Sequence, residues 1–313
     1  MSRVEVFEQL RPLLFSIAYR LLGSVSEAED AVQETWLRYA ATSAEPASAK
    51  AFLSATVSRI AIDVLRSARV RREKYTGRWF PEPLLDDPYQ DPARSAELAD
   101  SVSMAALILL ERLSPLERAV FVLREVFGFT YSEVASAVGR SEVACRQLAV
   151  RARRHVDAGR PRFEADRRER DELAERFFGA FRNGDVDELQ ALLAGDVQLI
   201  GDGGGKAPLW GNGVFGSQNV ARLLTTFGAS FLWIGGTVQP QHVNGQPGAV
   251  VRDREGHVIN TLALDILDGQ VQTIRAVLNP DKLQHLGPVG DAYAVLREAN
   301  RSRRQAMPSP PGD

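Results

Sequence analysis

Apolar residues recur at three- and four-residue spacing through Val6–Leu22, Ala28–Tyr39 and Phe52–Ala68, which predicts three amphipathic helices early in the chain. The pattern lapses in WFPEPLLDDPYQDPARS, Trp79 to Ser95. Proline there removes backbone donors and restricts its predecessor, so this stretch reads as a linker. Helical spacing resumes near Leu98 and runs to about Val156, followed by the basic, polar stretch GRPRFEADRRERDE. Helical signals at Leu173–Phe181 and Val186–Leu193 then give way to FLWIGGTVQPQHV, GAVVRD, HVINTLALDIL and QVQTIRAVL. These are β-branched and aromatic runs bounded by turn residues, and Asp268-Gly269 between the last two predicts a hairpin. Helices followed by antiparallel strands indicate an α+β domain behind two all-α domains. The tail, RSRRQAMPSPPGD, reads as disordered.

Three helix-start signals crowd the middle of the chain. Ser114-Pro115-Leu116-Glu117 and Thr130-Tyr131-Ser132-Glu133 are capping boxes, and Ser141 caps a further helix behind Gly139-Arg140. The last two helices fit a helix-turn-helix, with Val134 and Val138 inward, small Ala135 at the crossing and Gly139 in the turn. On the helix from Ser141, the spacing turns Cys145, Leu148, Ala149 and Ala152 inward. Ser141 stands at its start, and Val143, Arg146, Gln147, Val150, Arg151 and Arg154 face outward. Forked donors beside small apolar groups suit guanine edges, phosphates and thymine methyls. The bland alternative is a solvated basic face; the turn in front of the helix favours DNA.

Composition changes this picture little. With 313 residues, 44% apolar and 25% charged, the chain is ordinary for two or three globular domains. Its net charge of -2 conceals local asymmetry. The helix AEDAVQETWLRY, read as capped by Ser26, presents Glu29, Asp30, Gln33, Glu34 and the apolar Leu37 outward, a face suited to a basic, partly apolar protein partner. AFLSATVSRIAIDVLRSARVRREK does the reverse: Leu53, Val57, Ile60 and Ala61 turn inward, while Lys50, Arg59, Arg66, Arg69, Arg71, Arg72 and Lys74 add positive charge that can follow a DNA backbone. The short polar loop before it, Ala41–Ser48, suits an unstacked base. The lone Cys145 makes no internal disulfide, and no apolar run approaches the ~18–20 residues that span a bilayer. The start does not read as a signal peptide, so a cytoplasmic location without membrane contact is expected.

AEDAVQETWLR, the basic helix, the linker and LSPLERAVFVLREVFGFTYSEVASAVGRSEVACRQLAVRARR together resemble an extracytoplasmic-function sigma factor of bacterial RNA polymerase, covering about half the chain. The resemblance implies region 2 at 1–76, a linker at 77–97 and region 4 at 98–158. It implies as partners core RNA polymerase, through its β′ clamp and β flap, and promoter DNA. The acidic helix would dock on the clamp, the loop and basic helix would recognise and melt the -10 element, and the recognition helix would read the -35 element. Asp86, Asp87 and Asp91 of the linker would run through the RNA channel, where their charge mimics RNA; a solvated acidic linker is an equal alternative.

The remainder is similar to a subgroup carrying a C-terminal SnoaL-like domain, a cone-shaped α+β fold, here at 166–290 before a tail at 291–313. Its three signatures are Trp79-Phe80-Pro81-Glu82-Pro83, Asp202-Gly203-Gly204-Gly205-Lys206 and Asn279-Pro280-Asp281-Lys282-Leu283, with Phe80 in place of a usual leucine. The resemblance implies regulation in cis. Two other readings stay open: residual catalysis through Asp202, His242, His257 or Asp265, and a pocket for a small apolar ligand. A one-component helix-turn-helix regulator is the alternative for the whole chain, and the acidic Glu29–Leu37 face argues against it. No cofactor or metal is expected. The glycine-rich Asp202–Lys206 is not a nucleotide loop, because Ile200 stands where the first glycine belongs and Ala207 where the magnesium-binding hydroxyl belongs.

Overall fold

The computed structural model describes residues 2–43, 45–72, 75–89, 100–158 and 166–306, with the side chains of 68–72 and 304–306 left aside. The chain forms two compact units: one from 1–75 and 86–161, the other from 76–85 and 162–313. The linker is therefore divided, its residues 77–85 belonging, together with Thr76, to the C-terminal unit.

In the first unit, α1 (Arg3–Leu22), α2 (Val25–Ala40) and α3 (Ala49–Arg72) pack together. Gly23 ends α1 in the left-handed region at φ 67°, and Ser24 at once caps α2, its hydroxyl accepting from Glu27 N at 3.2 Å. The cap thus falls two residues before the expected Ser26. Region 4 comprises α4 (Met104–Leu110), α5 (Pro115–Phe121) with a π-turn behind it (Val122–Val126), α6 (Tyr131–Val138) and α7 (Glu142–Asp157). Both expected capping boxes form, at Ser114/Glu117 and Thr130/Glu133. Gly139, at φ 65°, makes the turn that a side chain would strain, and Ser141 caps α7.

Region 4 packs on region 2 within this unit, α6 against α3. Arg20 of α1 is the hub. Its side chain is fully buried; Nη2 donates to Asp87 at 2.9 Å, Nε donates to Ser101 Oγ at 2.9 Å, and the guanidinium lies 5.4 Å from the Phe127 ring centre. Burial pushes the guanidinium below its ordinary value, while Asp87 acts the other way. Arg118, buried and paired with Glu111, donates to the carbonyl of Arg20 at 3.1 Å.

The second unit holds α8 (Arg167–Asn183), α9 (Val186–Leu192), α10 (Ser217–Trp233) and a six-stranded sheet of order β2-β1-β6-β5-β4-β3. The strands are β1 (Leu193–Asp202), β2 (Val214–Phe215), β3 (Thr237–Val243), β4 (Gln246–Arg252), β5 (Val258–Leu267) and β6 (Gln270–Val277). β1 and β6 are parallel and the other pairs antiparallel. The expected Asp268-Gly269 hairpin forms with both residues at positive φ, 54° and 66°, and Asn244-Gly245 repeats the device between β3 and β4. One face of the sheet is filled by the core in which Phe177, Phe178, Phe181 and Phe231 meet Leu199, Leu264 and Ile274.

The residues expected to form a disordered tail divide. α11 (Ala292–Ala306) is an ordered helix, because Val295 and Ala299 are buried, Val295 as part of that core. Residues 307–313 lie outside the described residues.

Candidate functional site

The three short signatures of the sequence meet in the second unit. By strand alternation, Asp202, Val277 and Thr261 face away from the phenylalanine core, and Asp202 is fully buried. One of its carboxylate oxygens accepts from Lys282 Nζ at 2.7 Å and from the backbone N–H of Phe80 at 2.8 Å. Lys282 also donates to the carbonyl of Phe80 and lies 4.3 Å from the ring centre of Trp79. Phe80, Pro81, Pro83 and Leu84 are buried, and Glu82 is half-buried. Further along, Asn244 Oδ1 accepts from Leu84 N at 3.0 Å while Asn244 N donates to Leu84 O at 2.7 Å. His285 donates from Nε2 to the carbonyl of Pro83 at 2.6 Å. The linker is thus a strap, fastened as an extra strand end would be by backbone polar groups, with apolar side chains between the fastenings.

The glycine loop serves this clasp. The second carboxylate oxygen of Asp202 accepts from Gly204 N at 3.0 Å, and Lys206 N donates to Gly203 O at 2.8 Å, closing a turn. Gly205 adopts φ 72°, and a Cβ at Gly203 would lie 2.8 Å from the Ala207 carbonyl. Lys206 crosses to Asp281 at 2.6 Å, which ties the glycine loop to the Asn279–Leu283 segment. In that segment Asn279 N donates to Asp202 O at 2.9 Å, Pro280 begins a 3-10 turn and Leu283 is buried.

The four acid/base candidates lie apart, each with its own partner. Asp202 is in the clasp. Asp265 pairs with Arg275 at 2.6 Å, and burial pushes its carboxyl above the usual range against the pull of Arg275. His242 Nε2 is 3.0 Å from Asp171, and His257 Nδ1 is 3.4 Å from Asp253 in the β4–β5 turn. That turn brings ligand atoms of Asp253, Glu255 and His257 within 4.8 Å of one another. Asp253 Oδ1 is already engaged by the backbone N–H groups of Glu255 and His257, and Glu255 is exposed.

In the first unit, Glu29, Asp30, Gln33 and Leu37 are exposed along α2 and Glu34 is half-exposed and paired with Arg38. Beside them a groove of about 400 Å³ opens between α1 and α2, floored by Val4, Phe7, Val32 and Trp36. On α7 the positions Ser141, Val143, Arg146, Gln147, Val150, Arg151 and Arg154 are all exposed, while Cys145, Ala149 and Ala152 are fully buried. Burial raises the Cys145 thiol, as befits a core residue. Arg146 is braced by Glu142 at 2.8 Å and by the Tyr131 ring, 5.1 Å from its centre. Among the cations of α3, Lys50 lies 5.7 Å from the Phe129 ring centre and Arg59 Nε donates to Ala137 O at 3.2 Å, both on region 4, while Arg66 pairs with Asp63. The side chains of Arg69, Arg71 and Arg72, and residues Lys74 and Asp91, lie outside the described residues. Arg20, Arg118, Asn244 and His285 escaped the sequence reading, because their partners are 67 to 202 positions away and no local pattern marks them.

Comparison with known proteins agrees with this anatomy. Residues 6–71 match the model of Sigma-70 region 2, and residues 104–156 match that of Sigma-70, region 4. The chain is 39% identical to the ECF RNA polymerase sigma factor SigJ of Mycobacterium tuberculosis, over 89% of this chain and 92% of that protein. It is 32% identical to the probable ECF RNA polymerase sigma factor SigI of the same species, over 88% and 93%. The crystal structure of Mycobacterium tuberculosis SigJ superposes with a TM-score of 0.69 at 35% identity, covering 90% of this chain and 98% of that one. Likeness on this scale runs through both helical regions and the appended unit alike, and the chain therefore belongs to the extracytoplasmic-function RNA polymerase sigma factors.

Proposed function

We propose that this sigma factor is regulated in cis by its C-terminal unit, which takes hold of the linker between regions 2 and 4. The observation that carries the reading is the membership of residues 76–85 in the second unit, clasped by Asp202, Lys282, Asn244 and His285. The ten residues 76–85 extend at most ~34 Å, at about 3.4 Å each. Elements named -35 and -10 lie about 25 base pairs apart, or roughly 85 Å of duplex at 3.4 Å per pair. Regions 2 and 4 in contact do not reach both at once, so promoter engagement needs the linker paid out, and the clasp withholds it.

In the open form, α2 and the groove beside it dock on the β′ clamp, region 4 meets the β flap, α3 with the preceding loop takes the -10 element, and α7 reads the -35 element. Lys50 and Arg59 then leave region 4 for DNA. A ligand-sensing role draws no support from the helix-facing side of the sheet, where four phenylalanines fill the space and a Cβ at Gly228 would meet the Phe181 ring at 2.7 Å. A catalytic reading draws no support from the acid/base candidates Asp202, His242, His257 and Asp265, each of which is engaged with a different partner.

Run-off transcription with core polymerase tests the clasp. Phe80→Ala/Leu84→Ala alters the strap and leaves the sheet's own residues intact. The variant is expected to give more transcript per sigma factor than the wild type, with a change in Trp79 fluorescence reporting release. Released strap with unchanged transcript yield sinks the proposal.

A further inference from the structure

Helix α11 pairs its inner face with the core and leaves its outer face without a carboxylate. At about 100° per residue, the arc opposite buried Val295 and Ala299 carries Tyr293, Ala294, Arg297, Asn300 and Arg301. Tyr293, Arg297 and Arg301 are exposed, and so is Arg303 on the flank. The helix's single acid, Glu298, lies to the side and is taken by Arg254 at 2.9 Å. Arg297 has a loose contact with Asp291 at 3.7 Å, between groups that are both more than half exposed. Among the described residues, no carboxylate pairs with Arg301 or Arg303. On α8, by contrast, Arg168 pairs with Glu172 and Arg176 with Glu188. An outward face made of arginine, asparagine and tyrosine matches a polyanion and repels a basic protein surface.

We propose that this face is a phosphate-binding surface for duplex DNA, so that the C-terminal unit adds a sequence-independent grip on promoter DNA. The inference rests on the sigma-factor reading for the presence of DNA. Its chemistry is separate from the recognition helix: forked guanidinium donors from the Arg297/Arg301 stripe, with Arg303 reaching in from the flank, contact backbone oxygens, and no base edge is read. Tyr293 offers a hydroxyl to the same backbone.

The test uses the full chain and a fluorescent duplex of random sequence, with affinity measured between 50 and 200 mM NaCl. Each phosphate contact contributes about 0.9 to the slope of log affinity against log salt, so Arg297→Ala/Arg301→Ala/Arg303→Ala should flatten that slope by about 2.7. The fall in affinity across this fourfold salt range then shrinks by about 40-fold, the power-law equivalent of that slope change. Replacing the same three residues by lysine should restore most of the slope, which separates charge from any effect on folding; alanine favours helix and these side chains are exposed. An unchanged slope in the alanine variant overturns the proposal. So does a variant that binds DNA normally but loses affinity for core polymerase, because the face would then serve a protein. Failure of the sigma reading itself appears elsewhere, in run-off transcription, and leaves this slope unaffected.

Discussion

Two lysines of the clasp make equally short ion pairs and differ in what those pairs are worth. Lys282 meets Asp202 at 2.7 Å with almost nothing of either side chain exposed, whereas Lys206 meets Asp281 at 2.6 Å with more than half of each in solvent. An exposed pair is screened and costs side-chain entropy, so Lys206→Ala should lower stability by at most about 1 kcal/mol. Lys282→Met removes the cation from a buried carboxylate that also accepts from the backbone N–H groups of Phe80 and Gly204, and this should cost about 3–5 kcal/mol. Urea unfolding of the two variants compares them directly. Equal midpoints would mean that Asp202 is not buried as described. The glycine run just before Lys206 invited a phosphate-binding reading, and its real task is steric: Gly203 has no room for a Cβ and Gly205 occupies a left-handed conformation.

At the scale of elements, the sequence announced most of what the fold contains. Capping boxes at Ser114 and Thr130, the Gly139 turn and the apolar stripe of α7 are short-range features, decided within a few residues, and they appear as expected. The displaced cap of α2 shows the limit, since Ser24 and Ser26 both offer a hydroxyl and only the left-handed Gly23 makes the first one the start. Helix α11 was hidden because its arginines and the following prolines look like tail composition, and its two buried residues find their core only in the folded sheet. The recognition helix yields a quantitative expectation. Arg146 is held by Glu142 and Tyr131 in a defined pose, so a guanine contact should be worth about 1–3 kcal/mol. Arg146→Ala is expected to lose that affinity on its preferred -35 sequence and much less on sequences lacking the guanine. A uniform loss across sequences identifies a phosphate contact instead.

For the molecule as a whole, the deciding residue is one that no local pattern marks. Arg20 joins α1 to the linker through Asp87 and to region 4 through Ser101, and its carbonyl takes Arg118, also of region 4. The two helical regions were legible one by one; their packing was not, because it depends on a cation whose partners are 67, 81 and 98 positions distant. Asp87→Ala leaves that guanidinium buried without its carboxylate, at a cost of about 3 kcal/mol, which separation of region 4 relieves by readmitting water. Fluorescent labels at Leu37→Cys and Val143→Cys, both exposed positions beside the buried native Cys145, should move apart in the Asp87→Ala background. Wild-type distances in that variant would remove Arg20 from the account of closure.

The divided linker also sets an order of events at the ribosome. The strap is made early, yet its last fastenings, Lys282 and His285, are made about 200 residues later, which at 5–20 residues per second is ~10–40 s. From the completion of region 4, near residue 158, regions 2 and 4 both exist and the clasp does not. Under the proposed regulation in cis, each new molecule passes through a brief unrestrained youth, and restraint is acquired only when its final strand and the turns after it have left the tunnel.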